Sequence, residues 1–270
     1  MPENSFLSTE TTFLVKIGGS VLSNQDSTLQ DLVYLQQQGH TPILVHGGGQ
    51  LISDWMQRQG TTPRFLNGLR ITDSESMDIV TAILSGLVNK TLVASIQKLG
   101  GKAIGMSGVD GKMLEADILD PELGYVGRIT KVNTDPIKQT LRSGYMPVIA
   151  PLAICGVESG DQSGILLNVN GDTAAGEIGS ALASDAIIFL TDVSGIMDSE
   201  SSVLNTVNSE EIAQLIRLGT ISGGMIPKVQ ACLRALGSVP IAQIIDGRKR
   251  GALLDFFEGV TTGTRIELAP

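Results

Sequence analysis

The sequence predicts an α/β fold, with helices on both faces of a mainly parallel open sheet. Three observations predict it. Short apolar runs rich in β-branched residues recur along the chain, helical periodicity fills the gaps between them, and glycine-rich turns follow three of the runs directly. Short runs that are apolar throughout suit strands buried on both faces, as a parallel sheet requires.

The first strand is expected at "TFLVKI" (12–17), where Lys16 stands among apolar neighbours just before "GGS". A helix is expected over 26–39, starting at an Asp or Ser cap and stopping at a glycine. "TPILVH" (41–46) is the second strand and leads into "GGGQ"; "NGLRIT" (67–72) reads as a polar loop. The longest helix is expected over 73–100, with Met77, Val80, Ile83, Leu84 and Leu87 at helical spacing. "KAIGMSG" (102–108) is the third strand. Residues 112–134 break the rhythm with two extended segments around a Pro and Gly turn, and are expected as a hairpin on an edge or lid. Strands follow at 146–151, 186–191 and 239–245, and helices at 172–184, 209–219 and 224–237. No apolar run is expected to reach membrane-spanning length.

At 270 residues the chain is long enough for one large domain or two halves sharing a core. Its net charge of -9 and the lack of a basic run beyond "GRKRG" (247–251) argue against a nucleic-acid partner. Cys155 and Cys232 have no metal spacing and read as two ordinary thiols of a reducing cytosol. The first dozen residues lack the basic and long apolar regions of a signal peptide, so the expected location is cytoplasmic, without a membrane partner.

Three glycine turns, "KIGGS" (16–20), "HGGGQ" (46–50) and "TDVSGIMD" (191–198), fall at the carboxyl ends of predicted strands. Ligands of open α/β sheets bind there, and glycine N–H groups can line an anion with no side chain in the way. The P-loop and dinucleotide fingerprints are both absent, which disfavours a Rossmann oxidoreductase. Near these turns stand Lys16, Arg70, Asp172 and Lys228. Taken singly, the last three read as a loop arginine, a helix cap and a surface lysine. Lys16 differs, because its apolar strand leaves the ammonium few routes to water.

Taken together, "KIGGS", "VHGGG", "NGLRIT", "NVNGDTAAG", "DVSGIMD" and "GGMIPKV" resemble the amino-acid kinase superfamily in order and spacing, from about Phe13 to Arg265. "NGLR", then "NVN" and the aspartate, resembles its acetylglutamate branch more specifically. The resemblance implies a three-layer αβα sandwich, the amino-acid kinase fold, on one continuous sheet. It implies an N-terminal lobe (1–180) for the amino-acid substrate and a C-terminal lobe (181–270) for ATP. The reaction implied is transfer of the γ-phosphoryl group of ATP, with Mg2+ carried by the nucleotide and no metal ligand from the protein. The acceptor is the side-chain carboxylate of N-acetyl-L-glutamate, in arginine biosynthesis.

By the same resemblance Lys16 and Lys228 contact the phosphoryl group, and Asp172 orients them. Gly48, Gly49, Arg70, Asn168 and Asn170 match substrate positions. Gly18, Gly19, Asp192, Val193, Ser194, Gly195, Ile196, Met197, Thr220, Ile221 and Ser222 match nucleotide loops. A carboxylate acceptor is ionised at neutral pH and needs no general base, so His46 is expected to shape its loop rather than to catalyse. Gly171 stands where an alanine is common. Kinases of carrier-bound aminoadipate resemble the chain too, but carry an extra glycine-containing segment where this sequence passes from "FLNG" straight to "LRIT". Arginine-inhibited members carry a longer N-terminal helix, and the short leader here is expected to give an unregulated homodimer. A nucleotide sensor that has lost catalysis stays open as an alternative, against which both lysines and the aspartate speak.

Overall fold

The computed structural model describes residues 10–18, 26–156, 160 and 162–269. The chain begins with β1 (Thr12–Ile17), α1 (Asp26–Gln37), β2 (Thr41–His46) and α2 (Gly49–Arg58), then a short hairpin of β3 (Phe65–Leu66) and β4 (Leu69–Arg70). A long helical run follows as α3 (Ser74–Thr81), a π-helical segment (Ala82–Val88) and α4 (Asn89–Lys98). Next come β5 (Ala103–Ser107), β6 (Leu114–Ile118), β7 (Gly127–Val132), α5 (Asp135–Arg142), β8 (Met146–Ala150), β9 (Leu152–Cys155) and β10 (Leu166–Asn168). The last third holds α6 (Gly171–Leu182), β11 (Ala186–Thr191), β12 (Thr206–Asn208) and α7 (Ser209–Arg217). It closes with α8 (Met225–Ala235), β13 (Ala242–Asp246), α9 (Ala252–Phe257) and β14 (Thr264–Glu267).

Among the described residues the main sheet has eight strands in the order β12-β14-β13-β11-β1-β2-β8-β5. Every pairing is parallel except β13 with β14. Alternation along each strand divides the core between the two faces. Phe13, Val15 and Ile17 point with Ile188 and Leu190 into one core, closed by side chains of α1, α4 and α9 such as Leu32, Ile96 and Leu253. Leu14 points with Ile187 and Phe189 into the other, closed by Ala174 and Ile178 of α6 and Val229 of α8. The result is the expected helix–sheet–helix sandwich.

The expected hairpin at 112–134 is present as antiparallel β6 and β7. It belongs to a second sheet, β10-β9-β6-β7, whose β9 and β10 the sequence pattern does not announce. The polar loop expected at 67–72 is instead the tip and second strand of the β3–β4 hairpin. Asn67 (φ 50) and Gly68 (φ 81) occupy its turn, and Asn-Gly is the pair that such a turn selects.

One expectation needs correcting outright. The continuous helix Ser74–Lys98 is long and apolar enough to cross a membrane by length and composition, with a mean hydropathy of 1.7 over its most apolar window. Its apolar side chains Met77, Val80, Ile83, Leu84, Leu92 and Ile96 are instead spent on the core beside the main sheet.

Candidate active site

The alternation that buries Leu14 on the α6 and α8 face places Lys16, two residues on, on the same face. There its Nζ lies 2.7 Å from Asp172 Oδ1. Lys228 Nζ lies 3.0 Å from Asp172 Oδ2 and also donates to Oδ1 at 3.3 Å. Lys16 and Asp172 are only 6% and 4% exposed, so this carboxylate bridges two ammonium groups out of bulk water.

The meeting of α6 and α8 sets that geometry. At Gly176 a Cβ would come within 3.0–3.2 Å of Ala231 atoms, so the two helices touch backbone to backbone there. Asp172 lies one turn before Gly176, and Lys228 one turn before Ala231, which brings both onto the facing sides. Asp172 is not the helix cap its sequence position first suggested. Asn170 caps α6, its Oδ1 accepting from the Asp172 and Thr173 amides at 2.9 and 3.0 Å. The Asp172 side chain is thereby left to the lysines.

Burial acts on the Asp172 carboxyl to raise its pKa, but the charges of Lys16 and Lys228 outweigh it and hold the group below the usual range. Burial pulls Lys16 down, with Asp172 opposing and Lys228 reinforcing the shift. Two cations on one anion leave a net positive charge in a desolvated place, which suits a polyanionic ligand.

Beside the cluster lies a cavity of about 200 Å³, lined by Lys16, Gly48, Gly49, Arg70, Asn168 and Asn170, with Phe65 and Leu84 among its apolar walls. Gly48 has an extended φ of 178°, open to any residue, but a Cβ there would sit 2.8 Å from Leu84. At Gly49 the space is open. Among the described residues neither Gly48 N–H nor Gly49 N–H meets a hydrogen-bond acceptor, which leaves two donors open at the start of α2 in the cavity's lining.

Arg70 is buried against the same loop. Its Nη2 donates to Gly49 O at 2.8 Å and to Ser53 Oγ at 2.9 Å, and its guanidinium lies 4.8 Å from the Phe65 ring centroid. None of its partners is a carboxylate, and burial lowers its pKa. An anion entering the cavity would supply the missing countercharge. Asn168 donates to Thr72 Oγ1 at 3.2 Å, which fixes its amide at the rim. Ser53 and Thr72, each holding a site residue, had no signal in the sequence.

The nucleotide-loop residues divide. Gly18 lies beside Lys16 Nζ, with Leu190 O also close, so the β1 and β11 termini meet there; Gly19 lies outside the described residues. Asp192, Ser194, Met197, Thr220 and Ser222 are exposed at the end of β11 and ahead of α8, while Val193 is half-buried. Ile196 and Ile221 instead turn their side chains into the core, and the Ile196 amide already donates to Thr264 Oγ1 at 2.8 Å. These two can serve a nucleotide only through other backbone atoms or by holding the loop's shape. Gly195 packs against Thr264 and Val203. The 200 Å³ cavity includes neither loop. Two of the three cations of "GRKRG" are ion-paired, Arg248 with Asp246 and Lys249 with Asp255. Among the described residues no group of three or more His, Cys, Asp or Glu could hold a metal ion.

His46 is fully buried, and burial, with smaller effects from the charges of Lys16 and Lys90, pushes its pKa down to about 4 despite a bond to Gly47 O. Neutral and walled off, it does not serve as a base.

The model of the amino acid kinase family matches residues 11–245. An acetylglutamate kinase of Dehalococcoides mccartyi is 43% identical over 87% of this chain and 86% of its own length. An acetylglutamate kinase of a Thermoanaerobacter species is 42% identical over 95% and 87%. Among solved structures, the smu.665 protein of Streptococcus mutans superposes with a TM-score of 0.82 at 28% identity, covering 94% of this chain and 98% of that one. A carbamate kinase of Giardia, with a TM-score of 0.72 at 15% identity over 97% of this chain and 100% of its own, shares the fold.

Proposed function

The chain belongs to the amino acid kinase family, and from that membership we propose that it transfers the γ-phosphoryl group of ATP to the side-chain carboxylate of N-acetyl-L-glutamate, giving N-acetyl-L-glutamyl 5-phosphate in arginine biosynthesis. The observation that carries the reading is the buried carboxylate of Asp172 shared by Lys16 and Lys228, beside two glycine amides that meet no acceptor among the described residues. Relatives named acetylglutamate kinase supply the substrate class.

The acceptor carboxylate, with an ordinary pKa of about 4.3, is already a nucleophile at neutral pH. Its oxygen bonds to the γ-phosphorus while the bond from that phosphorus to the bridging oxygen breaks, and ADP leaves with the electron pair. No proton need move. The barrier is the approach of two anions, and electrostatic positioning is what such a transfer asks of a protein. In this reading Lys16 faces the transferred phosphoryl group and Lys228 the oxygen that departs. Asp172 holds both ammonium groups still. The Gly48 and Gly49 amides meet the equatorial oxygens, and Arg70, its Nη2 engaged by Gly49 O and Ser53 Oγ, offers the substrate's α-carboxylate its charge and the N–H groups left on Nε and Nη1. Asn168 and Asn170 line the place of the acetamido group; Asn170 offers only its amide N–H2, since its oxygen caps α6.

We assign the amino-acid side to residues 1–180 and the nucleotide side to 181–270, and expect Mg2+ to enter with the nucleotide, where it would neutralise phosphate charge. We further place the protein in the cytoplasm as a homodimer; a monomer by light scattering would refute the second point. The test of the main reading is a panel of carboxylates with MgATP and hydroxylamine trapping of acyl phosphate. Signal from N-acetylglutamate is expected. Signal confined to glutamate, aspartate or carrier-bound aminoadipate refutes the substrate, and no signal from any carboxylate refutes the reaction class.

A further inference from the structure

Behind the phosphoryl-facing loop lies a buried polar chain that the proposed mechanism does not use. Asn89 and His46 are both fully buried. The Asn89 amide nitrogen lies 2.9 Å from Val148 O, 3.3 Å from Met106 O and 3.1 Å from His46 Nε2. Carbonyls can only accept, so the atom facing them is the N–H2 group; its two hydrogens go to Val148 O and to His46 Nε2, which therefore accepts, and the longer contact to Met106 O shares one of them. The imidazole proton therefore sits on Nδ1, which donates to Gly47 O at 3.0 Å. The Asn89 oxygen is occupied from outside by Lys90 Nζ at 3.0 Å.

This chain ends on one peptide group. In a trans peptide the N–H of residue 48 points opposite to the C=O of residue 47. Holding Gly47 O against the ring therefore aims Gly48 N–H the other way, toward the cavity. The π-helical segment Ala82–Val88 stands behind both contacts. Leu84 and Val88 press on Gly48 from one side, and Asn89 is the first residue after the segment. A π turn inserts a residue relative to an α-helix and so rotates the helix beyond it, a device that recurs at functional sites.

We propose that Asn89 and His46 are positioning residues for phosphoryl transfer: they lock the Gly47–Gly48 peptide so that the Gly48 amide ahead of α2 points at the transferred group. The inference rests on the reaction proposed above, and its test separates the two. Wild-type turnover is measured first, and its absence overturns the reaction, not the geometry.

The geometry is read by 15N NMR of the imidazole in histidine-labelled protein. A bare Nε2 and a protonated Nδ1 on His46 are expected, and a protonated Nε2 overturns the proposal. Kinetics supply the second arm. His46→Ala and Asn89→Leu should each lower kcat by about tenfold or more, a fraction of what losing a whole transition-state donor costs, with KM for N-acetylglutamate within about twofold. His46→Asn, whose amide can reach Gly47 O from the place of Nδ1, should recover most of the loss. His46→Gln, whose amide reaches toward Asn89 instead, should not. If Asn89→Leu does not fold, the Asn and Gln variants decide. Equal turnover in those two, or unchanged kcat in His46→Ala, overturns the proposal.

Discussion

At the scale of single residues, the cluster of Lys16, Asp172 and Lys228 divides function from stability. Lys228→Met leaves Asp172 paired with Lys16, so the folded state loses a surplus cation and keeps a matched pair. Turnover should fall by about a hundredfold or more while the melting temperature holds or rises; near-normal turnover would remove Lys228 from the mechanism. Asp172→Ala does the reverse, leaving two buried ammonium groups with no counterion. A loss of about 3–5 kcal/mol is expected in urea unfolding. His46 adds a pH signature. Its pKa is about 4 when folded and about 6.5 when unfolded, so the unfolded state takes up the proton first as pH falls. The stability is present above about pH 6.5 and is lost as pH falls through 4, about 3 kcal/mol in all. His40, lowered by burial, acts in the same direction. His46→Asn should reduce the slope of unfolding free energy across that window, and an unchanged slope would refute the assignment.

At the scale of elements, the contact of Gly176 with Ala231 fixes the distance between Asp172 and Lys228. Gly176→Val should wedge α6 from α8, lowering kcat well before the fold is lost, as activity and thermal melting measured on one preparation would show. How much was legible in the sequence depends on how each element carries its signal. The strands at 12–17, 41–46 and 186–191 are buried on both faces, so their composition alone marked them. Strands β9, β10, β12 and β14 have three or four residues, too few to show a period. Helix α2 escaped because its first turn is the glycine loop, which reads as a turn. Lys16 was legible because an ammonium inside an apolar strand demands a partner. Asn89 was not, since its role depends on a π-helical register that no local composition encodes, and Asn170 took the capping role that suited Asp172 equally well by position.

At the scale of the molecule, three of the parallel strands nearest the middle of the main sheet, β11, β1 and β2, carry the three glycine turns at their carboxyl ends. The candidate site therefore lies where strands far apart in the sequence pair side by side. That order has a consequence for the chain as it is made. β1 is the first strand synthesised and ends up between β2 and β11, but β11 leaves the ribosome only after residue 186. Until then β1 is a sheet edge, with unpaired amides and carbonyls along an apolar strand, the kind of edge that recruits other chains. A fragment ending near residue 180 should thus aggregate, and adding the C-terminal remainder in trans should return it to solution; a soluble monomeric fragment would refute this. The nascent chain thus carries Lys16 long before it has β11, the strand that covers the open side of β1.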